Sequence, residues 1–279
     1  MFHTCGKLSC KRRCKILGKV MSFIVNKGGV GKTTLVVELA SCIHVKYPEK
    51  RVLILDGDAQ GNCSVAFGYN PRELEITLYD CVVDDVPAKE AIISVRQNLD
   101  LLPGNKDMNY FELDVLPHLN GRNPFGFFEK VVNQVRDEYD YILIDSPPDL
   151  KTVAINIIKA ADHLYIPFRP EKYSVEGLLS VLEVVDEARK KIGAHATVEG
   201  IIANMVKVNT KLHSNYMLSA SVFCQRENIR LFETRIPETI RFADAIAKYG
   251  MPHVLADPKG KHSKIYFDLL EEILNNGKR

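Results

Sequence analysis

The chain has 279 residues, 46% of them hydrophobic, and a formal net charge of +2. This length and composition suffice for a sizeable core within one α/β domain. No apolar run approaches a transmembrane span and no signal-peptide core is evident, so we expect neither an integral membrane protein nor a secreted one. The seven cysteines show no paired spacing, and we expect a cytoplasmic protein in which four of them are small apolar core residues: Cys42, Cys63, Cys81 and Cys224.

The first twenty residues differ in composition from the rest of the chain. They contain six lysines and arginines and no acidic residue, so residues 21–279 carry more acidic than basic groups. One interpretation is a basic arm that contacts DNA. We favour the hypothesis that translation begins at Met21, because residues 17–20 can be encoded by a purine-rich stretch that resembles a ribosome-binding site. We therefore expect residues 1–20 to be a basic leader, disordered or not translated, and residues 21–279 to be a single domain. A weaker alternative for the leader is a metal site formed by His3, Cys5, Cys10 and Cys14.

A glycine-rich loop at residues 26–34 follows an apolar run and reads Asn-Lys-Gly-Gly-Val-Gly-Lys-Thr-Thr. Its glycines let backbone N–H groups turn inward around an anion, and the helix predicted over Lys32–Lys46 directs its positive end at the same point. We expect Lys32 to reach the β- and γ-phosphates of a nucleotide and Thr33 to ligate Mg²⁺. One lysine suffices for a phosphate cradle, so Lys27 needs another function. The predicted phosphate-binding residues are Lys27, Gly28, Gly29, Val30, Gly31, Lys32, Thr33 and Thr34.

Two further apolar runs end in aspartate, as buried parallel strands do where they deliver a ligand group. Residues 51–56 end in Asp56 and are followed by Asp58, a pair of carboxylates that suits the water shell of Mg²⁺ and the orientation of a water molecule. Residues 141–145 have the arrangement in which a carboxylate at a strand tip, here Asp145, holds the metal ion. We therefore predict that Thr33, Asp56 and Asp145 hold the metal.

The remaining segments alternate between strands and helices, which predicts an α/β fold with a doubly wound, mostly parallel sheet flanked by helices. Helices are expected from residue 62, over 77–83, 124–137, 175–191 and 263–275. Strands are expected over 99–103, 164–168, 197–204 and 229–236, the last of which ends the sheet. The sequence contains no linker, repeat or low-complexity tract.

These motifs resemble those of ParA-type partition ATPases of the deviant Walker A (ParA/MinD) group, from about Met21 almost to the C-terminus. The resemblance includes Ile166-Pro167 followed by residues 173–178, and residues 235–237 followed by 240–245. It implies a P-loop ATPase with ATP and Mg²⁺ as cofactors. Gly57 and Ala59 stand where the family usually has an apolar residue and proline, and we expect them to loosen this switch loop.

The resemblance also implies roles for individual residues, with Lys27, Lys32 and Asp58 as the catalytic set. Lys27 would be the signature lysine that reaches the phosphates of the other subunit in an ATP-bound homodimer. Asp58 would position the hydrolytic water, and Asp56 would support the metal shell. Asn204 and Pro237 fall where the family holds the adenine ring; the alternative for Asn204 is a turn residue that satisfies nearby backbone groups.

A basic excess in the last third of the chain predicts an electrostatic surface for phosphate. Arg241 is the first candidate for DNA contact, followed by Lys211, Arg226 and Arg230. No helix-turn-helix precedes the ATPase core, so we expect salt-sensitive binding to non-specific double-stranded DNA. The resemblance implies ATP-dependent DNA segregation on the nucleoid, in which a ParB-type centromere-binding protein stimulates slow hydrolysis and releases the dimer.

Three other functions share parts of this pattern. A MinD-type membrane regulator would end in a basic amphipathic helix, whereas the predicted terminal helix carries Asp268, Glu271 and Glu272, so we expect no stable membrane association. A reductase of the nitrogenase iron-protein kind needs cysteines for an iron–sulfur cluster, and none follows Asp145 before Cys224. An ATPase that positions some other cargo stays an open alternative, because the partner determines the cargo.

Overall fold

The computed structural model describes residues 17–118, 123–172, 174–207 and 211–275. Within these ranges the strands are β1 (Lys19–Phe23), β2 (Val52–Asp56), β3 (Ile93–Arg96), β4 (Leu99–Leu102), β5 (Tyr141–Asp145), β6 (His163–Phe168) and β7 (Thr197–Ala203). The helices of the same ranges are α1 (Lys32–Lys46), α2 (Asn62–Ala66), α3 (Leu78–Val83), α4 (Ala88–Ala91), α5 (Phe111–Val115), α6 (Phe127–Val135), α7 (Thr152–Ala160), α8 (Ser174–Ile192), α9 (Lys211–Arg226), α10 (Arg241–Tyr249), α11 (His253–Ala256) and α12 (Lys261–Leu274).

The strands form one sheet in the order β3-β4-β2-β5-β1-β6-β7, and all neighbours are parallel except β3, which runs antiparallel to β4. Asp145 at the end of β5 pairs with Asp56 of β2 on one side and with Phe23 of β1 on the other. The carboxyl ends of three adjacent strands therefore meet at one edge, which is where open α/β sheets bind ligands. The predicted doubly wound, mostly parallel fold is confirmed.

Helices cover both faces of the sheet, which explains why its central strands are apolar along their whole length. In β2, Leu53 and Leu55 face a core shared with α6, α7 and α8, whereas Val52 and Ile54 face a second core shared with α1 and α12. The helix predicted over Lys32–Lys46 is observed with those bounds. Within the described residues, none of the helices has both the length and the hydropathy needed to cross a membrane.

The strand predicted over residues 229–236 is wrong. This segment runs beside β7 without forming a regular ladder. Leu231 bridges Ile201, the Ile236 N–H donates to the Ala203 carbonyl at 2.9 Å, and Pro237 just beyond the segment bridges Val206. Between the bridges, the backbone N–H groups of residues 233 and 234 donate to the Glu272 carboxylate of α12, at 2.8 and 3.0 Å. A side chain distant in sequence thus takes the Thr234 donor that a regular ladder would direct to β7.

The first strand, β1, begins at Lys19, two residues before the start of the domain predicted at Met21. Val20 is fully buried and its N–H donates to the Asp162 carboxylate at 2.8 Å. Lys19 is the exposed first residue of this strand. Because it is charged and follows other basic residues, the start of the strand could not be told from the basic segment by composition. Residues 1–16 lie outside the described part of the chain, so the hypotheses about the leader stay predictions.

Glu38 links α1 to the C-terminal helices. Its side chain is 1% exposed, and its two carboxylate oxygens accept the N–H groups of His253 and Val254 at 2.7 and 2.8 Å, which caps the start of α11. Burial raises the pKa of Glu38 from its ordinary value near 4.5 to about 7, although the two hydrogen bonds oppose the shift. The folded chain therefore binds this proton more tightly than the unfolded chain does.

We expect this proton to make stability depend on pH. The stabilising contribution is complete below about pH 4.5 and is lost as the pH rises through about 7, which amounts to roughly 3 kcal/mol in the free energy of unfolding. Glu38→Gln should flatten the profile measured by urea denaturation between about pH 5 and about pH 8. Exposed Glu183 provides the control, since Glu183→Gln should keep the wild-type slope. Equal slopes in all three proteins would rule out this assignment.

Candidate functional site

The glycine-rich loop joins β1 to α1 and has the backbone conformation of an anion-binding nest. Gly29 and Gly31 have φ values of 74° and 75°, in the left-handed region that side chains disfavour. A Cβ atom at Gly31 would also lie 2.8 Å from Nδ2 of Asn204. The glycine at position 31 is therefore required by both its conformation and its close neighbour, and α1 begins at the next residue.

Lys32 lies buried at the start of α1, with 6% of the residue exposed. Its Nζ donates to Oδ1 of Asp145 at 2.5 Å, and the Thr33 hydroxyl donates to Oδ2 of the same carboxylate at 2.6 Å. Burial opposes the charge on Lys32, but the Asp145 carboxylate outweighs it and raises the Lys32 pKa. A buried cation is thus held at the mouth of the nest, where a phosphate can replace Asp145 as its partner.

A second buried carboxylate lies beside Asp145. Asp56 accepts the N–H groups of Asp58 and Cys63 at 3.1 and 2.9 Å, and both Asp56 and Asp145 are fully buried. Burial, and after it the charge of Asp145, raises the Asp56 pKa. Two buried carboxylates that repel each other favour a cation between or beside them. The donors fit Mg²⁺, which prefers oxygen ligands, and the residues that would hold it are Thr33, Asp56 and Asp145.

Cys63 also belongs to this site, which sequence reasoning missed. It is buried as predicted, but its Sγ lies 3.7 Å from Oδ2 of Asp145, and ligand atoms of Asp56, Cys63 and Asp145 lie within 4.8 Å of one another. Burial raises the pKa of this thiol well above its usual value, so it is a neutral donor. Its position seven residues after Asp56, at the start of a short helix, was the available signal.

The switch loop after β2 is tightly packed, contrary to the loosening expected from Gly57. The Gly57 N–H donates to the Asp145 carbonyl at 2.8 Å, and a Cβ atom at Gly57 would lie 2.8 Å from Cδ1 of Ile157. A side chain at this position would have to displace the end of Ile157 and would press on the Asp145 carbonyl oxygen, 3.0 Å from such a Cβ atom, so glycine fits this tightly packed loop. Asp58 follows with 9% exposure, and burial raises its pKa although the Gln60 N–H donates to Oδ1.

A cavity of about 460 Å³ opens beside these groups, large enough for a nucleotide. Its walls include the predicted residues Lys27, Gly28, Gly29, Val30, Gly31, Lys32, Thr33, Thr34 and Asp58. They also include residues that sequence reasoning missed, namely Val37, Gln60, Asn62, Val65, Ala66, Pro148 and Ile246. Ile246 brings the candidate DNA-contact helix α10 to the nucleotide cavity.

The two predicted adenine contacts are not among the described residues that line this cavity. Asn204 is 2% exposed at the end of β7 and directs its amide to the glycine-rich loop, which is the alternative role that the sequence left open. Pro237 pairs with Val206 in an isolated bridge. Contact of either residue with adenine stays a prediction.

Lys27 is exposed, whereas Lys32 is buried. Its side chain is 55% exposed at the rim of the cavity, and its Nζ lies 3.0 Å from Oε1 of Glu171 just before α8. An ion pair with this exposure contributes at most about 1 kcal/mol. The lysine is therefore held by its own chain through a bond that is easily exchanged.

The four candidate DNA contacts have different environments. Arg241 is the exposed first residue of α10, and no ion pair to it is found among the described residues. Arg226 pairs with Glu227, and Arg230 pairs with Glu272 while stacking on Phe232. Lys211 begins α9, and its side chain is outside the described part of the structure. The geometry thus favours Arg241 as the group available to a phosphate.

The chain is similar to proteins of known families over almost its whole length. A family model described as an AAA domain matches residues 18–198. The sporulation initiation inhibitor protein Soj of Bacillus subtilis is 31% identical over 94% of this chain and 100% of its own length. The chromosome partitioning protein ParA of Caulobacter vibrioides is 26% identical over 92% and 94% of the two chains.

A solved structure shares the fold at lower sequence identity. Cobyrinic acid a,c-diamide synthase from Mycobacterium smegmatis, determined with a bound ATP analogue and magnesium, has a TM-score of 0.80 and 21% identity. The match covers 94% of this chain and 96% of that one. At this identity the similarity establishes the arrangement of strands and helices.

Proposed function

The chain belongs to the ParA family of P-loop ATPases, and from this premise we propose that it is a partition ATPase whose ATP-bound dimer holds non-specific DNA. The observation that carries the proposal is the contrast between two lysines of one loop. Lys32 is buried against Asp145, whereas Lys27 is exposed at the rim and paired with Glu171. A rim lysine that the chain's own phosphate site does not need is free to serve a second molecule.

Nucleotide binding exchanges the partners of Lys32. We propose that the β- and γ-phosphates of ATP take the place of Asp145 at Nζ, while the N–H groups of the nest and the start of α1 receive the remaining phosphate oxygens. Asp145 and Asp56 would then hold the metal together with the Thr33 hydroxyl. When bound, Mg²⁺ neutralises charge on the transferring phosphate. The similar structure of cobyrinic acid a,c-diamide synthase from Mycobacterium smegmatis, which contains a bound ATP analogue and magnesium, supports this assignment of cofactors.

Asp58 has the position required of a water-orienting group. It lines the cavity next to the nest, its Oδ1 accepts the Gln60 N–H at 3.0 Å, and its own N–H donates to Oδ1 of Asp56 at 3.1 Å. We propose that its carboxylate accepts a hydrogen bond from the attacking water and thereby orients it, without a strong base being needed for phosphoryl transfer. Intrinsic turnover is then slow, which suits a switch that must persist.

The exposed lysine of the loop, Lys27, provides the contact that would hold two subunits together. Two ATP-bound subunits bring like charges face to face, and Lys27 of each leaves Glu171 to neutralise the phosphates of the other. Loss of the γ-phosphate removes the group that this lysine contacts across the interface, so hydrolysis opens the dimer. A ParB-type centromere-binding protein would stimulate this step, and the cell would use it to segregate a plasmid or chromosome over the nucleoid.

The DNA surface is proposed on the C-terminal helices. Arg241 is the first residue of α10, and four exposed lysines lie on the same group of helices. Lys248 is on α10, Lys259 lies just before α12, and Lys261 and Lys264 are on α12. Phe242 packs against His253 and Tyr266, so α10, α11 and α12 form one rigid cluster. Dimerisation doubles this basic surface and makes sequence-independent affinity depend on ATP.

The experiment that tests the proposal is retention on non-specific duplex DNA with a non-hydrolysable ATP analogue. Arg241→Glu should weaken retention by about tenfold or more at low salt while leaving ATP hydrolysis unchanged, because a phosphate contact becomes a repulsion. Lys190→Glu on α8 is the matched control, since α8 packs on the opposite face of the sheet and should not affect DNA. Wild-type retention by the Arg241 variant would discard this surface.

A further inference from the structure

The Asn204 side chain makes three hydrogen bonds, two of them to the phosphate loop. From the end of β7, its Nδ2 donates to the carbonyl oxygen of Val30 at 2.8 Å and to that of Gly31 at 3.2 Å. Its Oδ1 accepts the N–H of Met205 at 3.0 Å. The residue is 2% exposed, so both hydrogens of its amide are committed to the loop in a site closed to water.

These bonds determine where the donors of the loop point. In a planar trans peptide the C=O of one residue and the N–H of the next point in opposite directions. A carbonyl of Val30 that is drawn back to Asn204 directs the Gly31 N–H away from it. The carbonyl of Gly31 directs the Lys32 N–H in the same way, and it is held both by Asn204 and by the Leu35 N–H of α1, at 3.2 and 3.1 Å. Two consecutive N–H groups are thereby held toward the side on which a nest receives an anion.

We propose that Asn204 is a positioning residue for the phosphate loop and does not read the adenine base. The inference rests on the proposed nucleotide site and assigns the side chain to the triphosphate end of the ligand. The 2.8 Å separation between Nδ2 and a Cβ atom placed on Gly31 shows that amide and loop are packed together, so a side chain at position 31 would have to displace the amide.

The chain offers a matched control in Asn156. This asparagine of α7 is fully buried, its Nδ2 donates to two carbonyl oxygens, those of Pro124 and Thr152, and its Oδ1 accepts the N–H of Phe127. It has the same number and kind of hydrogen bonds as Asn204 but lies outside the nucleotide cavity. Asn204→Ala and Asn156→Ala should therefore lose similar thermal stability, which separates general unfolding from a local effect on the loop.

The decisive measurement compares ligands that share phosphates but differ in the base. Isothermal titration of the full chain with Mg²⁺ and ATP, inosine triphosphate or inorganic tripolyphosphate gives three dissociation constants. Asn204→Ala should weaken the binding of ATP and of inosine triphosphate by the same factor, about tenfold to a hundredfold, so the ratio of their dissociation constants should not change. The affinity for tripolyphosphate should fall by a similar factor. Asn156→Ala should leave all three dissociation constants at their wild-type values.

A base-reading role gives the opposite pattern. Asn204→Ala would then weaken the binding of ATP alone and remove the preference of the protein for ATP over inosine triphosphate. The affinity for tripolyphosphate would not change, and this pattern would overturn the proposal. Wild-type affinity of the Asn204 variant for all three ligands would also overturn it. A wild-type chain that binds none of them would instead refute the nucleotide site itself, so the two failures are distinguishable.

A second variant keeps the test valid if the alanine variant folds poorly. Asn204→Asp preserves the shape of the side chain but presents a carboxylate to the two loop carbonyls. Protonation of that carboxyl restores one donor, and its burial raises its pKa into an accessible range. Relative to wild type at the same pH, nucleotide affinity should recover as the pH falls from about 8 to about 6. A relative affinity that does not change with pH would contradict the positioning role.

Discussion

Lys32→Ala is expected to abolish nucleotide binding. The substitution removes the buried ammonium group that lies 2.5 Å from Asp145 and that would exchange this carboxylate for the phosphates. It also leaves Asp145 buried and uncompensated beside Asp56, so the cavity would repel a polyphosphate. Charge-assisted hydrogen bonds of this kind are strong, and we expect the dissociation constant for ATP to rise by more than about a hundredfold. Isothermal titration with Mg²⁺ and ATP measures the effect.

The same change should destabilise the fold, so loss of binding needs a stability control. Breaking a buried ion pair by removing one partner costs about 3–5 kcal/mol. Adding Asp145→Asn to Lys32→Ala removes the stranded charge and should recover much of the free energy of unfolding, yet binding should stay lost. A double variant that binds ATP as the wild type does would show that Lys32 has no direct contact with the phosphates.

Lys27→Ala is expected to separate nucleotide binding from dimerisation. The side chain is exposed and its pair with Glu171 contributes little, so both the stability and the ATP affinity of the monomer should change by less than about 1 kcal/mol. The ATP-dependent dimer should nevertheless be absent, because two triphosphates would face each other without the lysines that neutralise them. Light scattering with a non-hydrolysable ATP analogue should give the mass of one chain.

Two comparisons make this result specific. Lys190→Ala removes an exposed lysine on α8 and should dimerise as the wild type does. Glu171→Gln releases Lys27 from its own chain and should dimerise at least as readily as the wild type. An ATP-dependent dimer of the Lys27 variant, with twice the mass of one chain, would refute the role across the interface.

Much of the site was predictable because its parts occupy the ends of strands. A buried apolar run that stops at a carboxylate specifies both a parallel strand and the place of its last side chain, and Asp56 and Asp145 pair in register as that argument requires. The glycine-rich loop adds local information, since Gly29 and Gly31 adopt left-handed conformations that few other residues tolerate. These features depend on neighbours in sequence or on simple sheet geometry.

The remainder depended on contacts between distant segments. Asn204 and Val30 are 174 residues apart, and no local pattern indicates that the amide faces the loop. Ile246 reaches the cavity only because α10 packs on the helices that follow it. Similarly, the Glu272 side chain of α12 interrupts the strand expected over residues 229–236. The tight packing around Gly57 likewise depends on Ile157 of α7, which is distant in sequence and fills the space beside it.

The position of Lys27 in the presence of ATP tests the account most directly. A crystal structure of the chain with Mg²⁺ and a non-hydrolysable ATP analogue measures the distance from its Nζ to the nearest phosphate oxygen and to Glu171. The account predicts two copies face to face, with each Lys27 released from Glu171 and hydrogen-bonded to the nucleotide of the other copy. A nucleotide-bound monomer in which Lys27 keeps its 3.0 Å contact with Glu171 would contradict it.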